Sequence, residues 1–400
     1  MKRALVLSGG GAKGAYEMGV WKALRKLDIN IDIVTGTSIG ALNAAMMVQN
    51  DYSKCLKTWY YMNYDYVSKM EIKGKYSTSN GRKEIISKYA KGALKGGLEM
   101  DGLKDIINNS IDEKKFFNSR IDFGLVTTYF PSFKGKYVYK KDMSEDNLKK
   151  YLLASASCFP AFKPTKIGNS TYIDGGYTDN LPINMAIEMG ANEIIAVNMR
   201  AFGIIKSKLK KNVPITYIKP TSKLGSLLVF EKDYTRQYMK IGYNDTMKVY
   251  KKLEGNNYTF KLGSLKRNYD RNFDNFSNLV NNYYNGFLNI RTKKIKSIDE
   301  YNNILETLME AFNIDYTKIY RTSHVNVLLR NLYYKNSIKS NNTIKKAIKN
   351  NSIRKAFISS ELICYICDEL KNKKNKNITN LRIMFPKAFL CAIYLKSILK

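Results

Sequence analysis

The residues best suited to chemistry sit in three glycine-rich turns. Gly36-Thr37-Ser38-Ile39-Gly40 has the spacing G-x-S-x-G, in which small neighbours let a serine stand out on a sharp turn as a nucleophile. Upstream, Ser8-Gly9-Gly10-Gly11-Ala12-Lys13-Gly14 offers bare backbone N–H groups to a negative charge. Its glycines at 9, 11 and 14 also satisfy the dinucleotide spacing G-x-G-x-x-G. A serine nucleophile needs a base and an oxyanion hole. His324 is the chain's one histidine, so a serine–histidine–aspartate triad would rest on it alone. The other base on offer is a carboxylate acting directly on the serine, and Asp174-Gly175-Gly176 supplies one. Each turn also has a plain reading. Ser38 is equally a helix N-cap after a glycine turn, and Asp174-Gly175 a turn with no chemistry.

Positioning these turns requires a sheet. Lys2–Leu7 reads as a buried strand, Ala12–Leu27 as a helix with one apolar face, Ile31–Thr35 as a second strand and Ser38–Val48 as a second helix. Strand, helix, strand, helix with short links predicts a parallel sheet with crossover helices, hence an α/β core. Strand patterns return at Ile121–Thr127, Tyr137–Tyr139, Thr171–Ile173 and Glu193–Asn198, with a short helix at Ile183–Met189. Ser38 and Asp174 each follow a strand, so both fall at a carboxyl edge, where open α/β sheets carry their sites. Residues 50–118 are polar with poor periodicity and read as an insertion or lid of short helices. Beyond about residue 255 the alternation fades. Segments 324–334, 341–370 and 378–399 read as helices, and Lys371–Asn377 as a charged turn.

With 400 residues and 44% apolar side chains the chain can bury a large core, in more than one domain. Its formal charge is +33, and residues 201–400 carry +24 of it. Such a basic half suits a polyanion, either an anionic membrane surface or nucleic acid, and equally fits a plain Lys/Asn-rich bias. Met1-Lys2-Arg3 leads into an apolar run too short for a secretory signal, and no apolar stretch approaches the ~20 residues that span a bilayer. Five cysteines, an odd number, point to a reducing compartment rather than a disulfide framework. Cys364 and Cys367 form a CxxC that lacks two further ligands for structural zinc, so no metal site is expected. The expectation is a cytoplasmic protein, with membrane association a further prospect of its basic, Tyr-rich half. Ile378–Leu399 reads either as a segment lying in a membrane interface or as a helix packed on the catalytic domain.

Taken together, the glycine loop, the elbow Gly36–Gly40 and the Asp174-Gly175-Gly176 turn resemble the patatin-like phospholipase family in order and setting. LLASASCFPAF (152–162), DGGYTDNLPINMAIEMGANEIIAVNM (174–199) and two stretches within 218–248 fit as well. The resemblance covers about residues 1–253 and leaves 254–400 as a basic helical region of unknown role. It implies a three-layer patatin-like core and a catalytic dyad, with Ser38 as nucleophile and Asp174 as general base. It implies an oxyanion hole at the glycine loop, from Gly10 and Gly11 with Gly9, Gly14 and Lys13 alongside. Gly36 and Gly40 would form the elbow, and Gly175 and Gly176 the turn after the base. The implied activity is phospholipase A-type hydrolysis of membrane-lipid acyl esters through an acyl-enzyme, with no metal or cofactor. The implied partner is an acyl-lipid substrate; the basic, Tyr-rich back half adds the expectation of an anionic membrane surface, and no specific nucleic acid is expected. Lys13 stands where the family often has arginine; it keeps the charge and loses the planar fork.

Two other classes compete. A dinucleotide-dependent oxidoreductase needs an acid at the end of the second strand, and Asp32 sits at its start. A basic nucleic-acid- or ligand-binding regulatory protein would use the back half and leave three ordered motifs unexplained.

Overall fold

A computed structural model describes residues 2–62, 67, 78–207, 209, 211–284, 297–349, 358–372 and 378–399. The chain divides into two compact units, Met1–Val249 and Tyr250–Lys400.

The first unit is built on a sheet of eight strands: β1 (Arg3–Leu7), β2 (Ile33–Thr37), β3 (Asp122–Tyr129), β4 (Gly135–Tyr139), β5 (Thr165–Ile167), β6 (Ser170–Asp174), β7 (Glu193–Val197) and β8 (Ile215–Ile218). Hydrogen-bonded neighbours follow the path β5-β6-β3-β2-β1-β7-β8, with β4 also paired to β3. The helices are α1 (Ala15–Lys26), α2 (Ile39–Val48), α3 (Tyr52–Tyr61), α4 (Ser79–Leu94), α5 (Asp101–Ser110), α6 (Glu113–Asn118), α7 (Glu145–Ser155), α8 (Ile183–Glu188) and α9 (Lys232–Val249). Strand side chains alternate between faces. Ala4, Val6, Ile33, Ile194 and Ala196 therefore pack against Ile183 and Ala186 of α8 on one side. The alternate positions Leu5, Leu7, Val34, Ile195 and Val197 are buried as well, so the sheet is covered on both faces.

Parallel pairing holds among β1, β2, β3, β7 and β8 only; β4 and β6 run opposite to them, and β5 joins the sheet through an antiparallel pairing with β6. The links 130–134 and Gly168-Asn169 are hairpin-sized and too short for a crossover. Strand β2 also runs two residues beyond the expected Thr35, directly into the elbow. Strands β5 and β8, each four residues or fewer, are too short to leave a pattern in the sequence.

One register detail positions the site. Along β3, Val126 pairs with Tyr137 on one edge and Thr37 on the other, and Thr127 pairs with Lys136 and Asp174. Strand β4 thus fills one edge of β3, while β2 and β6 share the other and meet end to end. The parallel β2 stops at Thr37, and the antiparallel β6 arrives from beyond the sheet and stops at Asp174. Neighbouring residues of a strand rise ~3.3 Å, so the two ends are one rung apart. The carboxyl-edge expectation for Asp174 is correct in position, but its strand runs opposite to the one carrying Ser38.

Residues 50–118 contain α3 to α6, of 6 to 16 residues each; residues 63–66 and 68–77 lie outside the described residues.

The second unit contains a small sheet of β9 (Leu253–Glu254), β10 (Thr259–Lys261) and β11 (Ile319–Tyr320). Its helices are α10 (Ser264–Tyr284), α11 (Ile298–Ala311), α12 (Thr322–Lys349), α13 (Ser360–Lys371), α14 (Ile378–Met384) and α15 (Pro386–Ile398). Helix α15 is buried almost all round: Phe389, Cys391, Ile393, Tyr394 and Leu395 join Phe276, Tyr301, Leu305 and Ile366 in one core. Ile378–Leu399 is packed into protein, but on the second unit's own helices and not, as the packed reading expected, on the catalytic domain. Pro386 takes the first turn of α15, where its missing N–H is harmless, and so separates α14 from α15. The expected helix 341–370 and charged turn 371–377 are described only up to residue 349, from 358 to 372; the remainder lies outside the described residues. Among the described residues no helix is long and apolar enough to cross a membrane.

Candidate active site

Ser38 occupies the one-residue corner between β2 and α2, with φ 58° and ψ −129°. A non-glycine residue there stores strain of ~1–3 kcal/mol, which the surroundings must hold. Gly36 and Gly40 make the corner feasible. A Cβ on Gly36 would meet the Gly40 carbonyl oxygen at 2.4 Å, and one on Gly40 the Ser8 carbonyl oxygen at 2.6 Å. The Ser38 N–H donates to Ser155 Oγ at 2.9 Å, and that hydroxyl donates to the Val126 carbonyl at 2.7 Å. Ser155 thus fastens the elbow to the rung of β3 that ends β2.

Asp174 is buried, with 6% of its surface exposed. Its N–H donates to the Ser157 carbonyl at 2.9 Å, and its Oδ1 accepts the Gly176 N–H at 2.7 Å. Burial raises its carboxyl to a pKa of about 6, against the smaller lowering effects of the Ser38 hydroxyl and the Gly176 N–H. Gly175 lies where β2 and β6 meet: a Cβ there would sit 2.2 Å from the Val126 carbonyl oxygen and 2.9 Å from Thr37 Cγ2. The glycine after the aspartate is what lets two strand ends share one edge.

The glycine loop packs against the elbow, since a Cβ on Gly9 would lie 3.1 Å from Ser38 Cβ. The loop's amides divide into two kinds. Gly9 N–H donates to the side-chain and main-chain oxygens of Asn180 at 3.1 and 3.2 Å, and Lys13 N–H returns to the Gly10 carbonyl. The N–H groups of Gly10 and Gly11 have no hydrogen-bond partner among the described residues. Of the set expected around an oxyanion hole, Gly9 is therefore engaged, and Gly10 and Gly11 are open. Gly14 lies deeper, closed in by Ile39 and Trp59, and its carbonyl accepts from Asn43. Asn43 also accepts from Trp59 Nε1 and donates to Glu17, whose carboxyl burial pushes well above the usual range. Lys13 is partly exposed and outside the cavity lining, and partial burial lowers its ammonium pKa.

Gly9, Gly10, Gly11, Ser38 and Asp174 line one end of a cavity whose other walls are almost entirely apolar. Leu42 and Leu152 come from the core, Met62, Leu103 and Ile107 from segment 50–118, and Phe230 from the chain leading into α9. Cys158 also lines it; burial pushes its thiol to about 12, so it stays protonated. His324 is exposed on the first turn of α12, in the second unit. Cys364 and Cys367 are one turn apart on α13, buried among Leu362, Ile363 and Ile366. Asp32 accepts the Arg3 N–H at the amino-end edge of β1, away from the glycine loop.

Ser155, Ser157 and Asn180 were not singled out as functional by sequence reasoning. Each acts through a backbone bond to a site residue. The visible signal was the pair of stretches LLASASCFPAF and DGGYTDN, conspicuous as strings with no role assigned to their polar members.

Residues 5–187 match the family model described as patatin-like phospholipase. Patatin-like phospholipase domain-containing protein 7 of Mus musculus is 27% identical over 203 residues, 49% of this chain and 13% of that protein. Lysophospholipase NTE1 of Yarrowia lipolytica (strain CLIB 122 / E 150) is 31% identical over 200 residues, 49% of this chain and 12% of that protein. The chain thus spans only a small part of the length of these curated relatives. The crystal structure of VipD from Legionella pneumophila aligns over 100% of this chain and 91% of its own, at 13% identity and a TM-score of 0.36. The match to the patatin-like phospholipase family model falls within the first unit, over residues 5–187.

Proposed function

We propose that the chain is a serine lipid acyl hydrolase of phospholipase A type that cleaves acyl esters of membrane lipids without a metal. The observation that carries this reading is the end-to-end meeting of β2 and β6, which faces Ser38 toward the Asp174 carboxyl. In the proposed reaction Asp174 takes the Ser38 proton as Oγ attacks the ester carbonyl. Negative charge develops on the carbonyl oxygen and is met by the open N–H groups of Gly10 and Gly11, with the N-terminus of α2 adding its partial positive charge. The released alcohol takes the proton, water then attacks the acyl-enzyme with Asp174 as base, and the fatty acid leaves. The apolar cavity holds the acyl chain and excludes water from the charged intermediate. A carboxylate at about 6 is a better base than an ordinary aspartate and is still ionised at neutral pH.

The test is three variants assayed on a phospholipid and on a short-chain nitrophenyl ester. Ser38→Ala and Asp174→Asn should be inactive while His324→Ala retains wild-type turnover. A dead His324→Ala with a live Asp174→Asn would overturn the dyad. Mass spectrometry of products from a mixed lipid extract, wild type against Ser38→Ala, reads out head group and acyl position.

A further inference from the structure

In the second unit, α10 and α12 begin side by side. The hydroxyls of Ser264 and Thr322, the first residue of each helix, are 3.1 Å apart, and the Thr322 N–H donates to Ser264 Oγ at 2.8 Å. Beside this pair opens a cavity of about 430 Å³ lined by four arginines. Arg267 and Arg271 lie one turn apart on α10, Arg321 directly precedes α12, and Arg330 is farther along α12. No carboxylate lines the cavity. None of the four guanidiniums forms an ion pair among the described residues, whereas the nearby Lys266 and Lys318 pair with Asp270 and Asp315.

The floor is polar and internally hydrogen-bonded. Buried Asn268 accepts from Asn272 Nδ2 at 3.0 Å and from Asn326 Nδ2 at 2.9 Å, and donates to the Tyr394 hydroxyl at 2.9 Å. The arginines spend little of their donor capacity internally. Arg330 Nε reaches the Asn326 carbonyl at 3.3 Å, and Arg267 the Leu262 carbonyl at 3.5 Å. Each guanidinium has five N–H donors in a planar fork. Four like charges around one cavity repel one another, and two helix N-termini add positive potential of the same sign. The arrangement is destabilising when empty and satisfied by a compact anion.

We propose that this cavity binds a ligand carrying two phosphate groups, either a free small molecule or a lipid head group. Arginine forks engage phosphate oxygens two at a time, and four of them match two such groups in charge and donor number. The size is in the range of small-molecule sites, about 300–1,000 Å³. The lining has no aromatic residue on which a base could stack, which disfavours single-stranded nucleic acid. The proposal does not rest on the hydrolase reading, and its test uses no activity assay.

The experiment titrates the full chain with inorganic pyrophosphate by calorimetry, beside the variants Arg271→Gln/Arg330→Gln and Lys266→Gln/Lys318→Gln. In parallel, all three proteins are sedimented with phosphatidylcholine vesicles containing either diphosphorylated phosphatidylinositol or charge-matched phosphatidylserine. Expected is one-to-one binding that the arginine pair weakens ~100-fold, about tenfold for each charge-assisted contact, and the lysine pair by less than ~2-fold. Arginine-dependent binding of pyrophosphate identifies a free ligand; arginine-dependent binding confined to the phosphoinositide vesicles identifies a head group. Removing mutual repulsion should leave the arginine variant's melting temperature, without phosphate, at or above wild type, so that lost binding is not lost folding. The proposal is overturned if neither probe binds, or if the two variants lose binding equally. It is also overturned if a 20-base-pair duplex DNA displaces the probe and loses affinity equally in both variants, which marks a diffuse basic surface.

Discussion

The two units solve opposite problems in holding polar groups. In the first, the proposed chemistry lies on three turns, and almost every bond that fixes them involves a backbone N–H: Ser38 N–H to Ser155, Asp174 N–H to Ser157, Gly9 N–H to Asn180. In the second, charged side chains are carried on long helices over a floor of asparagines and a tyrosine, and side chains do the fixing. A turn held by its own backbone tolerates few residue types, since glycine or serine is required at fixed spacings. A helix face tolerates many. This contrast governs how mutations act and how much of each unit can be read in advance.

The largest effect should come from Asp174. Asp174→Asn is expected to lower kcat/KM by about 10⁴-fold, a loss typical of catalytic aspartates. In the wild type kcat/KM should rise with pH and level off above about 6, because the base must be ionised to accept the serine proton. Stability moves the other way. The native pKa lies above the unfolded value, so the folded state holds this proton more tightly. The stability it contributes is present below about pH 4, is lost as pH rises to about 6, and stays lost above that. Asn keeps an oxygen for the Gly176 N–H and carries no charge. At pH 8 the variant should therefore melt a few degrees above wild type, corresponding to about 1–3 kcal/mol. A variant that is both dead and less stable would show that Asp174 is held by a partner cation rather than by burial.

On the other side of the comparison, Phe389→Ala removes a fully buried ring from the core of α15. It should destabilise the second unit by about 3–5 kcal/mol, seen as faster hydrogen exchange in α13 and α15. Unchanged exchange there would mean that the helix is not the core element its burial indicates. Next in size is Gly11→Ala. Gly11 has φ +54°, and an added Cβ would meet the Leu227 carbonyl oxygen at 2.2 Å. The loop must move, and losing an oxyanion donor lowers turnover ~10²–10³-fold. A loss in kcat with KM unchanged is expected from progress curves on the nitrophenyl ester. A loss confined to KM would place the loop in ground-state binding.

The same contrast explains what the sequence made legible. Ser38, Asp174 and the glycine loop stood out as candidates because each belongs to a motif with particular residues at fixed spacing. Their meeting could not be derived, because it depends on β6 running antiparallel and stopping one rung beyond β2, and register is a pairing between distant segments. Asn180 stayed hidden for a related reason: its bond to Gly9 joins residues 171 apart. In the second unit the helices were visible as segments, but Arg267, Arg271, Arg321 and Arg330 were only part of a general basic excess. Nothing local in those stretches marks which four of the basic residues of 201–400 share a cavity. The buried character of α15 was likewise ambiguous, since an apolar segment between lysines fits a membrane interface and a protein core equally well. Packing against Phe276 and Tyr301 decides it, and both are long-range partners.

The smallest predicted effect concerns how the first unit would reach a bilayer. Phe202, Ile204 and Ile205 are exposed at 87%, 55% and 40%, and Phe202 lines the cavity. The segment is tied to the site's own turn, with Asn180 N–H donating to the Ile204 carbonyl at 2.6 Å and Ile204 N–H to the Gly176 carbonyl at 2.9 Å. Lys206 follows at once, giving apolar side chains beside a cation, a pairing suited to an anionic interface. Ile205 is outside the cavity lining, so Ile205→Glu changes the surface and not the acyl pocket. Burying an isoleucine is worth about 1.5–3 kcal/mol, and partial insertion gives a fraction of that. Activity on vesicles should fall about 3- to 10-fold, and more on anionic vesicles than on neutral ones, because the new carboxylate is repelled. Hydrolysis of a soluble nitrophenyl ester should not change. An equal loss on both substrates would tie this segment to the geometry of Asn180 and Gly176 instead of to the membrane, and would extend the backbone-held character of the first unit to its outermost loop.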